Sequence, residues 1–119
     1  MPAPGGHYSY GIVTSGRTLY VAGQVALDEN GDLVGEGDAV AQTRQVLTNL
    51  EKVVTAAGGR MEDIARTTVY ITSLDYRAAI GEVRKEFFPS PPPANTLLVV
   101  TSLAHPDLLV EIEAIVALD

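Results

Sequence analysis

The stretch NTLLVVTSL, residues 95–103, has the composition of a β-strand and is apolar in both of its alternating registers. Successive side chains of a strand point to opposite faces of the sheet, so a strand of this kind must be covered on both faces. The final run, LLVEIEAIVAL, is similar, because one register is wholly aliphatic and the other places Ile115 beside Glu111 and Glu113. The sequence therefore predicts a sheet whose two faces both need apolar cover.

Three other runs are typical of β-strands. YSYGIVTSG and RTLYVAGQVAL are predicted to form a hairpin around Ser15-Gly16, and IARTTVYITSL follows later in the chain. Asn30-Gly31 predicts a tight type I′ turn. Gly23-Gln24 interrupts the second run, which marks a bulge or a place where another group approaches the backbone.

The first predicted helix has a clear start and a clear end. Asp38 is a suitable N-cap, the apolar residues after it recur at helical spacing, and Gly58-Gly59 is a typical terminator. The polar residues of this segment, Gln42 among them, are expected to face solvent.

The second predicted helix starts at Ser73 or Asp75 and runs to Phe88, where Pro89 closes it. Gly81 lies in its middle and lowers helix stability by about 1 kcal/mol relative to alanine, so a close approach of another group is expected there.

The element order ββ(β)–α–β–α–β–β predicts an α+β fold in one domain over residues 1–119, with a mixed sheet and two helices on one face. Each helix has a single apolar stripe, so the pair covers one face of the sheet only. We therefore expect a neighbouring copy of the chain to cover the other face, which makes the protein an oligomer.

Charge and composition exclude several classes of function. The net charge is −7 and the eight Lys and Arg residues are scattered, so a nucleic-acid partner is not expected. No apolar run is long enough to span a membrane and the first residues do not resemble a signal peptide, so we expect a cytoplasmic protein without a membrane partner. The chain has no cysteine, and no motif for a metal or another cofactor is found, so none is expected.

Residue types alone leave the chemistry open. Glu113 either handles a proton or a water in an interfacial cleft, or it accepts hydrogen bonds in an interface or at a solvated edge. His7 and His105 lie in loop-like contexts without metal-ligand spacing, and surface positions account for both. Tyr8 fits core packing, and Asn95 fits an ordinary transition from loop to strand.

Taken in order, the segments YVAGQVAL, AQTRQVLTNLEKVVTAAGG, DIARTTVYITSLDYRAAIGEVRKEFF, PPPAN and LLVEIEAIVAL resemble the Rid (reactive intermediate deaminase, YjgF-like) family over nearly the whole chain. The resemblance implies a chorismate-mutase-like fold. It also implies a homotrimer with a central β-barrel and three clefts between subunits, each holding a small molecule.

The resemblance also implies the residues of each cleft. The glutamate that positions water falls on Glu113, a carbonyl that assists it on Leu97, an aromatic wall on Tyr8 and the glycine of the G-Q motif on Gly23.

The arginine that grips the substrate carboxylate in deaminases of the family falls on Asn95, which offers neutral donors and no charge. No residue near Asn95 in the sequence replaces that charge. His105 is expected near the rim of the cleft, and whether Arg17 reaches the cleft is left open.

Two functions follow from this pattern. The first is hydrolysis of an enamine or imine in the trimer cleft, with a small, uncharged substrate because Asn95 replaces arginine. The second is a non-catalytic trimer that holds a small metabolite or docks on a partner protein. A ribonuclease activity, named for some relatives, is disfavoured by the acidic charge.

Overall fold

A computed structural model describes all 119 residues, and its sheet has four strands in the order β1-β4-β2-β3. The strands are β1 Thr18–Gln24, β2 Ile64–Ile71, β3 Ala94–Val99 and β4 Val110–Ala117, and the helices are α1 Ala39–Ala56 and α2 Arg77–Phe87. β2 and β3 pair parallel through the α2 crossover, and the other neighbours pair antiparallel. The predicted α+β class and the mixed sheet are confirmed.

The core fills the space between the two helices and one face of the sheet. It is aliphatic apart from Met61 and Phe88. Its fully buried members include Leu47, Leu50, Ile80, Val69 and Ile112. The other face of the sheet has no helix on it. Tyr20, Leu98 and Ile115 remain exposed there, Tyr20 to 74%.

The ends of α1 form as predicted, but one of its polar side chains does not face solvent as predicted. Asp38 Oδ1 accepts a hydrogen bond from the Ala41 N–H at 3.0 Å, and Gly58 has a φ of 88° just beyond the helix. Gln42 is fully buried, so its predicted exposure is wrong. Its side-chain amide forms hydrogen bonds with backbone groups of two loops, and these bonds explain why the polar side chain points inward.

The predicted strand over residues 8–16 is wrong. Within it only Ser9 forms a bridge, to Ala94, and Val13 is fully exposed. The Ser9 N–H donates to the Pro93 carbonyl at 2.9 Å, so the segment lies beside β3, at the opposite edge of the sheet from β1. A hairpin with β1 is therefore not formed.

The turn around Asn30-Gly31 is not of type I′, because only Gly31 has a positive φ, of 82°. The Gly31 N–H donates to the Asp28 carbonyl at 3.0 Å, and Asp28 Oδ1 accepts from the backbone N–H groups of Asn30 and Asp32. The Asp28 carboxylate thus supports a turn in which Asn30 keeps an ordinary φ. A single bridge between Leu27 and Leu33 is the only β-type pairing around this turn.

No helix in the structure is both long enough and apolar enough to cross a membrane.

Candidate functional site

A cavity of about 430 Å³ lies between α2, the edge strand β3 and the N-terminal segment, and we call it the α2–β3 cavity. Three residues predicted for the site, Tyr8, Asn95 and Leu97, line it together. The N-terminal segment is held in place by Ser9, whose hydroxyl donates to the Pro92 carbonyl, and by His7, whose Nε2 bonds the Phe88 carbonyl at 2.9 Å. His7 therefore fixes the segment that brings Tyr8 to the cavity.

Asn95 belongs to a short relay of side chains in the wall of this cavity. Arg84 Nη1 donates to Thr67 Oγ1 at 3.0 Å, and Thr67 Oγ1 donates to Asn95 Oδ1 at 2.8 Å. A guanidinium only donates, so the single hydroxyl proton of Thr67 is left for Asn95. The relay occupies the Asn95 oxygen and leaves its two amide N–H groups available to a ligand.

Arg84 is the residue that sequence reasoning missed. It lines the cavity, it is only 4% exposed, and its guanidinium lies 4.7 Å from the centre of the Phe88 ring. Its Nη2 is buried and has no hydrogen-bond partner. Burial lowers the pKa of Arg84 to about 10, so the group is still charged at neutral pH.

No residue beside Asn95 in the sequence carries a positive charge, but in space the guanidinium of Arg84 is connected to Asn95 through Thr67. The available signal was helical spacing, because Arg84 follows Ile80 by four residues and shares its inward face.

Glu113 lies on the opposite face of the sheet from Asn95. It is half-buried, it accepts a hydrogen bond from the Tyr70 hydroxyl, and it lines a smaller cavity of about 280 Å³ with Arg66 and Thr68. The hydrogen bond to Glu113, more than burial, raises the pKa of Tyr70 above its usual value, which keeps the phenol a donor. One protomer therefore does not bring Glu113 and Asn95 together.

Gly23 marks a bulge, as predicted, because the pairing of β1 with β4 shifts register between Val21 and Gln24. A Cβ at position 23 would overlap the carboxylate of Glu111, so the close approach is confirmed too. Gly23 thus makes room for Glu111 on the open face of the sheet, away from the α2–β3 cavity.

The other residues considered from the sequence lie elsewhere. His105 is exposed, its Nδ1 accepts from the Asp107 N–H at 3.1 Å, and it lines a third cavity beside Leu27. Arg17 forms a two-bonded, exposed ion pair with Asp119. Gly81 has no neighbour within 4 Å of a Cβ position, so the expected close approach is wrong and the glycine instead lines the α2–β3 cavity.

The chain is similar to known proteins along nearly its whole length. Residues 1–118 match the family model described as Endoribonuclease L-PSP. A RutC family protein of Pyrococcus horikoshii is 39% identical over 114 residues, which are 96% of this chain and 89% of that protein. The structure of YyfB from Yersinia pestis, of the conserved Rid protein family, has a TM-score of 0.86 at 42% identity and covers 93% of this chain and 86% of its own. RidA from an Antarctic Psychrobacter has a TM-score of 0.80 at 36% identity, over 98% of this chain and 92% of its own.

Proposed function

The chain belongs to the Endoribonuclease L-PSP family, in which its relatives include Rid and RutC family proteins, and on that premise we propose that it hydrolyses the C=N bond of a small imine, or of the imine tautomer of an enamine, in clefts between subunits. The observation that carries the proposal is the placement of Asn95 and Glu113 on opposite faces of one sheet. Two copies of the chain are needed to bring one cavity wall and one carboxylate to the same ligand.

The open face of the sheet supports such an assembly. Tyr20, Leu98 and Ile115 are exposed on it, and Glu113 lies among them. Burying these side chains against a neighbouring copy is favourable at roughly 25 cal/mol per Å² of apolar surface. The trimer implied by the family resemblance would place this face in its central barrel.

The proposed reaction uses groups that this chain supplies. Glu113 positions a water and accepts its proton as the oxygen adds to the carbon of the C=N bond. Glu113 returns this proton to the nitrogen, which gives a carbinolamine. Transfer of the carbinolamine hydroxyl proton to the nitrogen then breaks the C–N bond, releases ammonia and leaves a carbonyl compound. The amide N–H groups of Asn95 orient the substrate, and the Leu97 carbonyl, on an edge strand, assists in holding the water.

The acidic charge of −7 disfavours RNA as a substrate, although the family is named after an endoribonuclease. A non-catalytic trimer that holds a metabolite in the same cavity is the second candidate, favoured by the neutral Asn95 at the position of the substrate-binding arginine.

The experiment is ammonia release from 2-iminobutanoate and 2-iminopropanoate by the wild-type chain, Glu113→Gln and Glu111→Gln. We expect Glu113→Gln to lose roughly 100-fold or more of the rate, because general-base catalysis contributes on that order. Glu111→Gln, two residues away on the same face, serves as the matched control and should keep most of the rate. Equal rates in Glu113→Gln and the wild type would remove the assigned role. Ligand binding without ammonia release in any protein would favour the non-catalytic trimer.

A further inference from the structure

We propose that Arg84 is the anion-binding residue of the α2–β3 cavity and that the ligand is a small carboxylate or similar planar oxyanion. This inference rests on the proposed function only in taking the cavity as the substrate site. It replaces the sequence-based expectation of an uncharged substrate, which depended on the absence of any cation beside Asn95.

The charge of Arg84 has no partner in the structure. Arg84 has no carboxylate within 4.0 Å, whereas Lys85 on the same helix pairs with Glu82, and Arg44 of α1 pairs with Glu86. A buried charge without a counterion is costly, and an unpaired buried guanidinium nitrogen adds to that cost. An anion in the cavity would supply the missing counterion.

The geometry around the guanidinium also favours an anion. The Thr67 hydroxyl engages Nη1 and the Phe88 ring lies near the guanidinium, so two contacts fix the position of the Arg84 side chain. Nη2 is left as an unused donor in a group that lines the cavity. A guanidinium fixed in this way is prepared to bind a planar oxyanion, because little side-chain freedom is lost on binding.

Two kinds of hydrogen-bond donor meet at this cavity. The same relay that fixes Arg84 turns the amide N–H groups of Asn95 away from Thr67. The cavity thus offers a cation from α2 and neutral donors from β3. The charge that the resemblance assigns to position 95 is supplied from position 84, on a different element.

Local charge also favours an anion here despite the net charge of −7. Arg77 and Arg84 both line the α2–β3 cavity, and none of its eleven lining residues is acidic. The field inside a low-dielectric cleft is set by its own walls more than by distant surface charges. Arg77 is exposed, so the two arginines have to be separated by experiment.

The test compares propionate with propionamide, which share shape and differ in charge, by thermal shift and ligand-observed NMR titration. We expect the wild type to bind propionate about 10- to 100-fold more tightly than propionamide, the ratio for one charge-assisted hydrogen bond. Arg84→Met should reduce this ratio to near one. Arg77→Met should lower it less than Arg84→Met does, because Arg77 is exposed, and the surface control Arg44→Met should leave it unchanged.

The ratio separates an anion-binding role from a merely structural one, since a disturbed cavity would weaken both ligands alike. Arg84→Lys, which keeps the charge but not the planar fork, should give an intermediate ratio. The wild-type titration decides the matter if the variants fail to fold, because equal affinities for the two ligands would overturn the proposal. A ratio lost in Arg77→Met but kept in Arg84→Met would overturn it too.

Binding is measured without turnover, so the result is independent of the ammonia assay. Charge selectivity that depends on Arg84 would support this inference even if no imine were hydrolysed. Ammonia release without charge selectivity would support the proposed function and reject Arg84 as the anion-binding residue.

Discussion

A single hydroxyl, that of Thr67, connects three elements beside the α2–β3 cavity. Thr67 is fully buried on β2, it accepts from Arg84 of α2, and it donates to Asn95 of β3. Since the guanidinium cannot accept a hydrogen bond, the direction of each bond follows from the residue types. Thr67 therefore decides which end of the Asn95 amide is offered to a ligand.

Replacing Thr67 with valine tests this connection. Thr67→Val keeps the shape of the side chain but leaves Arg84 Nη1 buried without an acceptor, so we expect a loss of about 1–3 kcal/mol in the free energy of unfolding. Urea denaturation measures it. Thr68→Val on the open face is the matched control and should change stability little, because no hydrogen bond of the Thr68 side chain is lost. Equal stability of the two variants would show that the Thr67 hydroxyl is not needed.

The sequence predicts some of the residues that line the cavity. Tyr8, Asn95 and Leu97 were assigned through the family resemblance, and they do lie together. Arg84 was not found, because a charged residue in an amphipathic helix is ordinarily assigned to the solvated side. Only its spacing from Ile80 and Val83 places it inward, and no local pattern reveals that Thr67 will accept its hydrogen bond.

Among the elements, both helices were predictable from period and caps, and all four strands of the sheet were predictable from their β-type composition. α1 has a periodic apolar stripe between Asp38 and Gly58, and β4 alternates cleanly. Residues 8–16 have β-type composition, yet they lie beside β3 and not beside β1. Pairing partners depend on the path of the whole chain, which local composition does not contain.

Gln42 connects two loops to α1 by hydrogen bonds, and replacing it tests how much this connection stabilises the fold. Its Nε2 donates to the carbonyls of Gly35 and Asp107, and its Oε1 accepts from the Leu109 N–H at 2.8 Å. Gln42→Met should leave these buried backbone groups unpaired and lower the free energy of unfolding by at least about 2 kcal/mol.

The Leu109 amide should also exchange its proton faster in Gln42→Met, because the loop before β4 loses an attachment. Gln45→Met is the control, since Gln45 bonds Asn49 and only weakly contacts the Leu27 carbonyl. Unchanged exchange at Leu109 in Gln42→Met would contradict the proposed fastening.

For the whole molecule, the sheet separates the residues of the proposed site. The α2–β3 cavity opens on the helix side, and Glu113 lies on the face that carries the exposed Tyr20 and Ile115. A sheet one layer thick does not let side chains from opposite faces reach one ligand, because successive side chains point away from each other. The proposed chemistry therefore requires that the protein assemble in a heterologous ring, in which different surfaces of the subunits meet.

Mixing two inactive variants tests this requirement. Gly81→Leu fills the cavity, because a Cβ at position 81 has open space around it. Leucine is also a better helix former than glycine, so α2 should tolerate the change. Glu113→Gln removes the carboxylate. Each variant alone is expected to be inactive. Joint unfolding and refolding mixes the two variants at random in each ring. Roughly a quarter of the interfaces then combine an intact cavity with an intact Glu113, so about a quarter of the wild-type ammonia release should return.

Each variant refolded separately is the control for this recovery, and sedimentation of the mixture shows whether rings re-form. No recovery from re-formed rings would place both groups of the site in one protomer, against the separation by the sheet. A lone protomer at micromolar concentration would remove the shared cleft altogether, because Glu113 and the α2–β3 cavity would then never face the same ligand.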